Sequence, residues 1–400
     1  MKNTNTMKKL VLLNAIMLSI STNLPCKAET FQFDLFKQIA KGRERSNLLV
    51  SPYSVETAMT MTALGASGST FESMSQSLDL GDASETVSKV TRISNDLKSL
   101  NAPDPGTSLK IVNSLIGEKS VKFDKGYVNS LKEKLQAPLT SLDFSAKDSV
   151  EKINNFVKEN SDGKIDSIID KVDPSAKLYL INAIYFKSSW TDQFDPQLTT
   201  EKSFHTADEQ MVKVPMMVAD RKHIKYFSNN EMQALRLHYK DGRYSMLFFL
   251  PAESSSLTEL ENNLSESSWQ NWLERFNENP GKITLPRFKI TDNLKLKSPL
   301  KAIGMSEPFD SLKADFSKMV EKDSKTELFL SEVFHKTFID VSEEGTEAAA
   351  STAAEASAKA LHFSEPYFEM KLNRPFLFAL HDAKTNKILF LGHIADPSKK

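Results

Sequence analysis

From Leu178 to Phe186 the chain reads LYLINAIYF, apolar at every position except Asn182. That run is too continuous for a strand with one wet face, so it predicts a central strand buried on both sides. Ala234–Tyr239 and Tyr244–Leu250 flank the polar stretch Lys240-Asp241-Gly242-Arg243 and predict a hairpin. Further strands are expected near 326–341, 367–380 and 387–394. Elsewhere the spacing is helical. Phe31, Phe33, Leu35, Phe36 and Ile39 start one apolar face, and a second helix is expected after Ser51-Pro52-Tyr53-Ser54, where serine and proline supply the start signal. Helical patterns recur near 84–99, 122–135, 148–159 and 257–276. Helices gather in the first third and strands follow without regular alternation, which indicates an α+β architecture. No repeat, low-complexity linker or charge block divides 29–400, so one large domain is expected.

The first 28 residues follow a different pattern. Lys2, Lys8 and Lys9 precede an apolar run from Leu10 to Ile20, and Cys26-Lys27-Ala28 offers a small-residue cleavage site. The segment predicts an export signal and a secreted, extracellular protein. The run is too short to be a membrane anchor, which needs about 20 residues. Its removal takes away four lysines and no acid, moving the formal charge from −1 to −5. It also removes Cys26, the only cysteine, so the secreted chain is expected to rely on its core and not on disulfides. Asn263-Leu264-Ser265 is the one N-glycosylation sequon.

Composition excludes several chemistries. Among 13 glycines none are two or five apart, so neither a dinucleotide fingerprint nor a phosphate-binding Walker loop is present. The seven histidines are never within five residues of one another, which excludes an H-E-x-x-H zinc site, and no metal ligand set is assigned. With 51 basic against 52 acidic residues, no electrostatic argument favours nucleic acid. No G-x-S-x-G elbow occurs. His335 lies in an apolar strand pattern and reads as a structural, hydrogen-bonded histidine, so no active site is inferred.

The informative segment is 343–363. Read as a strand, positions 346, 348, 350, 352, 354, 356 and 358 are Thr, Ala, Ala, Thr, Ala, Ala and Ala, while Glu347 and Glu355 share the other face. One face is small and uncharged and the other tolerates water. Such a strand could slide between two neighbours of an existing sheet; the bland alternative is an exposed alanine-rich helix.

At this point the sequence resembles the serpin family over essentially all of 29–400. The resemblance rests on the hinge GTEAAAST (345–352), on MKLNRPFLFAL (370–380), and on NLLVSPYS (47–54), LINAIYFKSSW (180–190) and FLGHIADP (390–397). It implies three β-sheets, eight or nine helices and an exposed reactive-centre loop at about 343–366. It also implies a hinge comprising Glu343, Gly345, Thr346, Glu347, Ala348, Ala349 and Ala350. Ser51, Ser54, Asn182 and His335 match a hydrogen-bonded cluster under the central sheet. Trp190 and Phe186 match the top of that sheet. Arg287 and Glu343 match a pair at the base of the loop, which if exposed is worth only about 0.2–1 kcal/mol.

What the resemblance implies about function is suicide inhibition. A serine protease attacks the loop, an acyl-enzyme forms, and the loop inserts as a new strand and drags the protease out of shape. Counting from the hinge at the family's spacing places the bait at Lys359-Ala360, and Lys359 is the only Lys or Arg between Glu343 and Glu369. A lysine there suits a trypsin-like partner, engaged by a monomer. Leu361-His362-Phe363 offers a chymotrypsin-like alternative, since the loop runs about five residues longer than common members when counted back from Asn373-Arg374-Pro375-Phe376. A non-inhibitory serpin, serving as carrier, storage protein or chaperone, is the competing class. No cofactor is required, although Lys122, Lys125, Lys132 and Lys134, with Lys89, Arg92 and Lys98 on the preceding helix, are candidates for a heparin-like polyanion.

Overall fold

The computed structural model describes residues 31–102, 106–240, 242–322, 324, 326–346 and 367–399. Among them are nine α-helices, with the expected helical stretches at Ala83–Leu100, Lys125–Leu135 and Ser149–Asn160, and the 257–276 stretch divided into Leu257–Asn262 and Glu266–Arg275. Local chemistry explains the starts. Ser51 caps the helix Pro52–Ala63 by accepting the Ser54 N–H, with proline in the first turn. Asp82 and Glu85 form a reciprocal capping box on Ala83–Leu100. The helix Pro52–Ala63 is buried almost all round, as expected of a helix in the middle of a large core.

The strands form two hydrogen-bonded networks. The six-stranded sheet contains Thr107–Glu118, Leu139–Leu142, Leu178–Ser189, Phe288–Lys295, Leu330–Val341 and the short Gly345–Thr346. The nine-stranded network turns on one long strand, Met211–Ser228, whose register against Asn277–Pro286 shifts between Arg221 and Ile224. One limb pairs it with Thr200–His205 and Asn277–Pro286, which in turn pairs Phe368–Lys371. The other limb runs through Met232–His238, Tyr244–Pro251, Phe376–Asp382, Lys387–Ile394 and Leu48–Val50. The three implied sheets are thus one six-stranded sheet and two limbs joined by a shared strand.

Leu178–Ser189 is central, and all but Lys187 and Ser189 are buried. Its faces alternate as strand geometry requires. Leu178 and Leu180 join the helical core with Met59 and Leu131. Tyr179, Ile181 and Ala183 face the core beneath the helix Ser149–Asn160, with Ile153, Val157 and Phe334. Toward the strand's end, Ile184 and Phe186 enter the core between the sheets.

Candidate functional site

The site is a seam. Leu330–Val341 lies parallel to Leu178–Ser189, with Leu330 opposite Leu178, a one-residue shift between Leu330 and Glu332, and continuous register from Glu332 opposite Tyr179 to Phe338 opposite Tyr185. Beyond Phe338 the two strands part, and Gly345–Thr346 occupies the fork. Gly345 pairs with Ser189, and Thr346 pairs antiparallel with both Ser188 and Val341. The start of the 343–366 segment is therefore a rung in the sheet and not an exposed loop. Thr346 is 0 % exposed, and its hydroxyl is 2.6 Å from the Tyr239 hydroxyl.

Gly345 is what lets the chain enter. Its φ is +149°, and a Cβ there would sit 2.1 Å from the Ser188 carbonyl oxygen, a backbone atom that cannot move aside. Around it the chain is tied on every side. Trp190 N–H donates to the Glu344 carbonyl, its indole N–H donates to the Ser342 carbonyl at 2.9 Å, and Phe194 N–H donates to the Glu343 carbonyl. The Trp190 ring stacks on Tyr239 with centroids 4.4 Å apart, and Phe186 packs against the same tyrosine edge-on.

Glu343 departs from the expected exposed pair. Its side chain is buried, at 4 % exposure, whereas Arg287 remains 45 % exposed. The carboxylate accepts from Arg287 Nε at 2.7 Å and from the Thr199 hydroxyl. Its worth lies above the roughly 0.2–1 kcal/mol of a solvated pair and below the roughly 3–5 kcal/mol lost on breaking a fully buried one.

Lower in the seam, Asn182 and His335 are opposite one another in the parallel register. His335 Nε2 accepts the Ser51 N–H at 3.0 Å, which places the ring proton on Nδ1, facing Asn182 Oδ1. Asn182 Nδ2 donates to the Ser54 hydroxyl at 2.5 Å and also contacts Asn113 Oδ1. All five residues are buried. Burial, opposed by the Asn182 contact, pushes the His335 pKa down to about 3, so the ring is neutral near pH 7. This network straddles the two strands that would have to separate to admit a third.

Comparison with known proteins agrees with this geometry. A family model described as serpin, serine protease inhibitor, matches residues 27–397. The leukocyte elastase inhibitor of Xenopus laevis is 36% identical over 385 residues, covering 94% of this chain and 100% of its own length. The chain belongs to the serpin family. It is thereby placed among inhibitors and not among enzymes. Of solved structures, the thermophilic serpin tengpin in its native state matches with a TM-score of 0.83 at 30% identity, covering 92% of this chain and 93% of that one. Thyroxine-binding globulin in complex with thyroxine matches with a TM-score of 0.82 at 27% identity, covering 92% and 98%.

Other assigned residues of this serpin fall as follows. Glu347, Ala348, Ala349, Ala350, Lys359, Ala360 and Phe363 lie outside the described residues, as does the segment 1–28. Asn263 is exposed at the corner between two helices. Lys122, Lys125, Lys132 and Lys134 are exposed. Lys89 is not available to a surface cluster: its side chain is 8 % exposed and its ammonium lies 2.6 Å from Glu56.

Several residues of the seam carry no signal in the sequence. The strand Thr107–Glu118, which carries Asn113, has no clean apolar period in the sequence, since Lys110, Asn113 and Ser114 interrupt it. Asn113 is a buried polar residue whose amide oxygen accepts from Asn182 on another strand. Tyr239 and Thr199 gave no signal at all, since each acts by reaching a hinge residue more than a hundred positions away.

Proposed function

We propose that this serpin is a secreted, monomeric suicide inhibitor of a trypsin-like serine protease, with Lys359-Ala360 as the bait bond. One observation carries the inhibitory part of the reading: the fork of the six-stranded sheet already holds Gly345–Thr346 as the first rung of an inserted strand. The residues that would follow Thr346 on the same inward face are Ala348, Ala350, Thr352, Ala354, Ala356 and Ala358. None carries bulk or charge into the seam. Once a protease serine has formed its ester with Lys359, insertion separates the protease from its own aligned histidine and oxyanion donors. Deacylation needs both, so the cycle stops at the ester. Speed matters, because the strand must enter before water attacks.

The relative named as an elastase inhibitor supports protease inhibition, but an elastase accommodates a small side chain and Lys359 presents a long cation. Lysine complements a specificity pocket with a buried carboxylate. A carrier role, as in the thyroxine-bound relative, would leave the small inward face without a purpose. The specificity reading is tested by measuring second-order inhibition of trypsin, chymotrypsin and elastase by the wild type and by Lys359→Glu. Charge reversal is expected to slow trypsin inhibition by about 100-fold or more. Unchanged trypsin inhibition would reject Lys359 as the bait, and a preserved chymotrypsin reaction would transfer the role to Phe363. Secretion is supported by the amino-terminal pattern, and the exported protein is expected to begin at Glu29 on amino-terminal sequencing.

A further inference from the structure

The basic residues of the two helices divide among different surroundings. On the helix Ala83–Leu100, Lys89 is buried against Glu56, and Arg92 lines a cavity with Tyr53 and Thr57. Lys98 lines a different cleft, of about 520 Å³, between that helix and the helix Lys125–Leu135. There it is joined by Lys134 and by Lys318 from the turn Ser317–Met319, while Lys125 and Lys132 are not among the lining residues.

The cleft combines two features that a polyanion site does not need together. Its apolar lining comes from Val87 and Val90, one turn apart on the first helix, and from Leu131 on the second; Val90 and Leu131 are buried, and Val87 is 65 % exposed at the mouth. Its charge comes from three ammonium groups, none of which is in an ion pair among the described residues. Lys318 is placed over the Phe71 ring instead. The one acid in the lining, Asp124, is occupied as a helix cap, accepting the Tyr127 N–H at 2.8 Å. The volume falls within the roughly 300–1,000 Å³ of small-molecule sites, and apolar walls with a few polar groups are the usual composition of such sites. Lysines in the last turns of both helices also complement the helix dipoles, but that accounts for neither Lys318 nor the exposed Val87.

We propose that this cleft binds a free medium- or long-chain carboxylate, the alkyl chain packed on Val87 over the buried Val90 and Leu131 and the headgroup among Lys98, Lys134 and Lys318. The proposal does not depend on which protease is inhibited. It is tested by titrating the purified protein calorimetrically with dodecanoate below its critical micelle concentration, with dodecanol as the uncharged counterpart and phosphatidylglycerol vesicles as the membrane counterpart. Saturable one-to-one binding of dodecanoate is expected, with dodecanol at least about ten-fold weaker. The double variant Lys98→Glu/Lys134→Glu and the single Val87→Asp should each weaken dodecanoate about ten-fold or more, and Arg92→Glu, on the other side of the same helix, should bind as the wild type does. All the substituted side chains are exposed, and unchanged circular dichroism would verify the fold. No saturable binding, binding indifferent to the cleft variants, equal loss in Arg92→Glu, or attachment to vesicles without binding of monomeric dodecanoate would each overturn the proposal.

Discussion

His335 and Gly345 each do something that a neighbouring residue type could not. A neutral imidazole that accepts at Nε2 and donates at Nδ1 joins Ser51 on the helix cap to Asn182 across the seam. With its pKa held at about 3 against an ordinary 6.5, the folded protein keeps the ring neutral where the unfolded chain takes up a proton. The corresponding stability is fully present above about pH 6.5 and is lost as the pH falls toward 3, by roughly 1.4 kcal/mol per pH unit. At pH 5 the seam should be weaker by about 2 kcal/mol. Thermal midpoints measured from pH 7 to pH 5 should fall more steeply for the wild type than for His335→Gln, which cannot titrate; parallel profiles would show that the ring is not the group responsible. Gly345→Ala sets a Cβ against the Ser188 carbonyl in a backbone region that strains other residues by about 1–3 kcal/mol. The hinge should leave the fork, seen as faster hydrogen exchange at Thr346, and a larger share of the inhibitor should be cleaved without trapping the protease.

At the level of elements, Leu178–Ser189 pairs with Leu330–Val341 in parallel, as Thr107–Glu118 does with Leu139–Leu142. A strand entering between the first pair replaces one parallel ladder by two antiparallel ones, which are slightly more stable per residue, and adds the buried area of a new strand. The register begins at Thr346, whose side chain already points inward at Tyr239. Thr346→Arg would require a guanidinium in that position without a partner, at several kcal/mol. The expected outcome is conversion of inhibitor to substrate, read as a rise in the moles of inhibitor consumed per protease trapped; an unchanged ratio would mean that Thr346 does not face inward during insertion. Much of this was legible in the chain itself. Leu178–Phe186 announced its two buried faces by continuous apolarity, and the 346–358 parity announced a strand meant for a seam. The partners were not legible. Asn113, Thr199 and Tyr239 serve through single hydrogen bonds to residues distant in sequence, and such bonds leave no periodicity. The burial of Glu343 was hidden for the same reason, since nothing local says that Thr199 and Phe194 close over it.

Over the whole molecule, the helix Ser149–Asn160 covers one face of the seam, the buried Ser51–Asn182–His335 network supports the other, and the hinge sits in the fork at the top. On the proposed function, the native arrangement is a sheet that can admit one more strand, with Gly345–Thr346 already paired in the fork. Inhibition follows only if cutting the loop lets that strand complete its entry while the protease is still attached. The direct test is to mix the protein with trypsin and analyse the products by denaturing electrophoresis and mass spectrometry. The account predicts a denaturant-resistant complex of inhibitor and protease, accompanied by release of a carboxyl-terminal fragment that begins at Ala360. Cleavage that releases this fragment while trypsin stays active and no complex forms would contradict it.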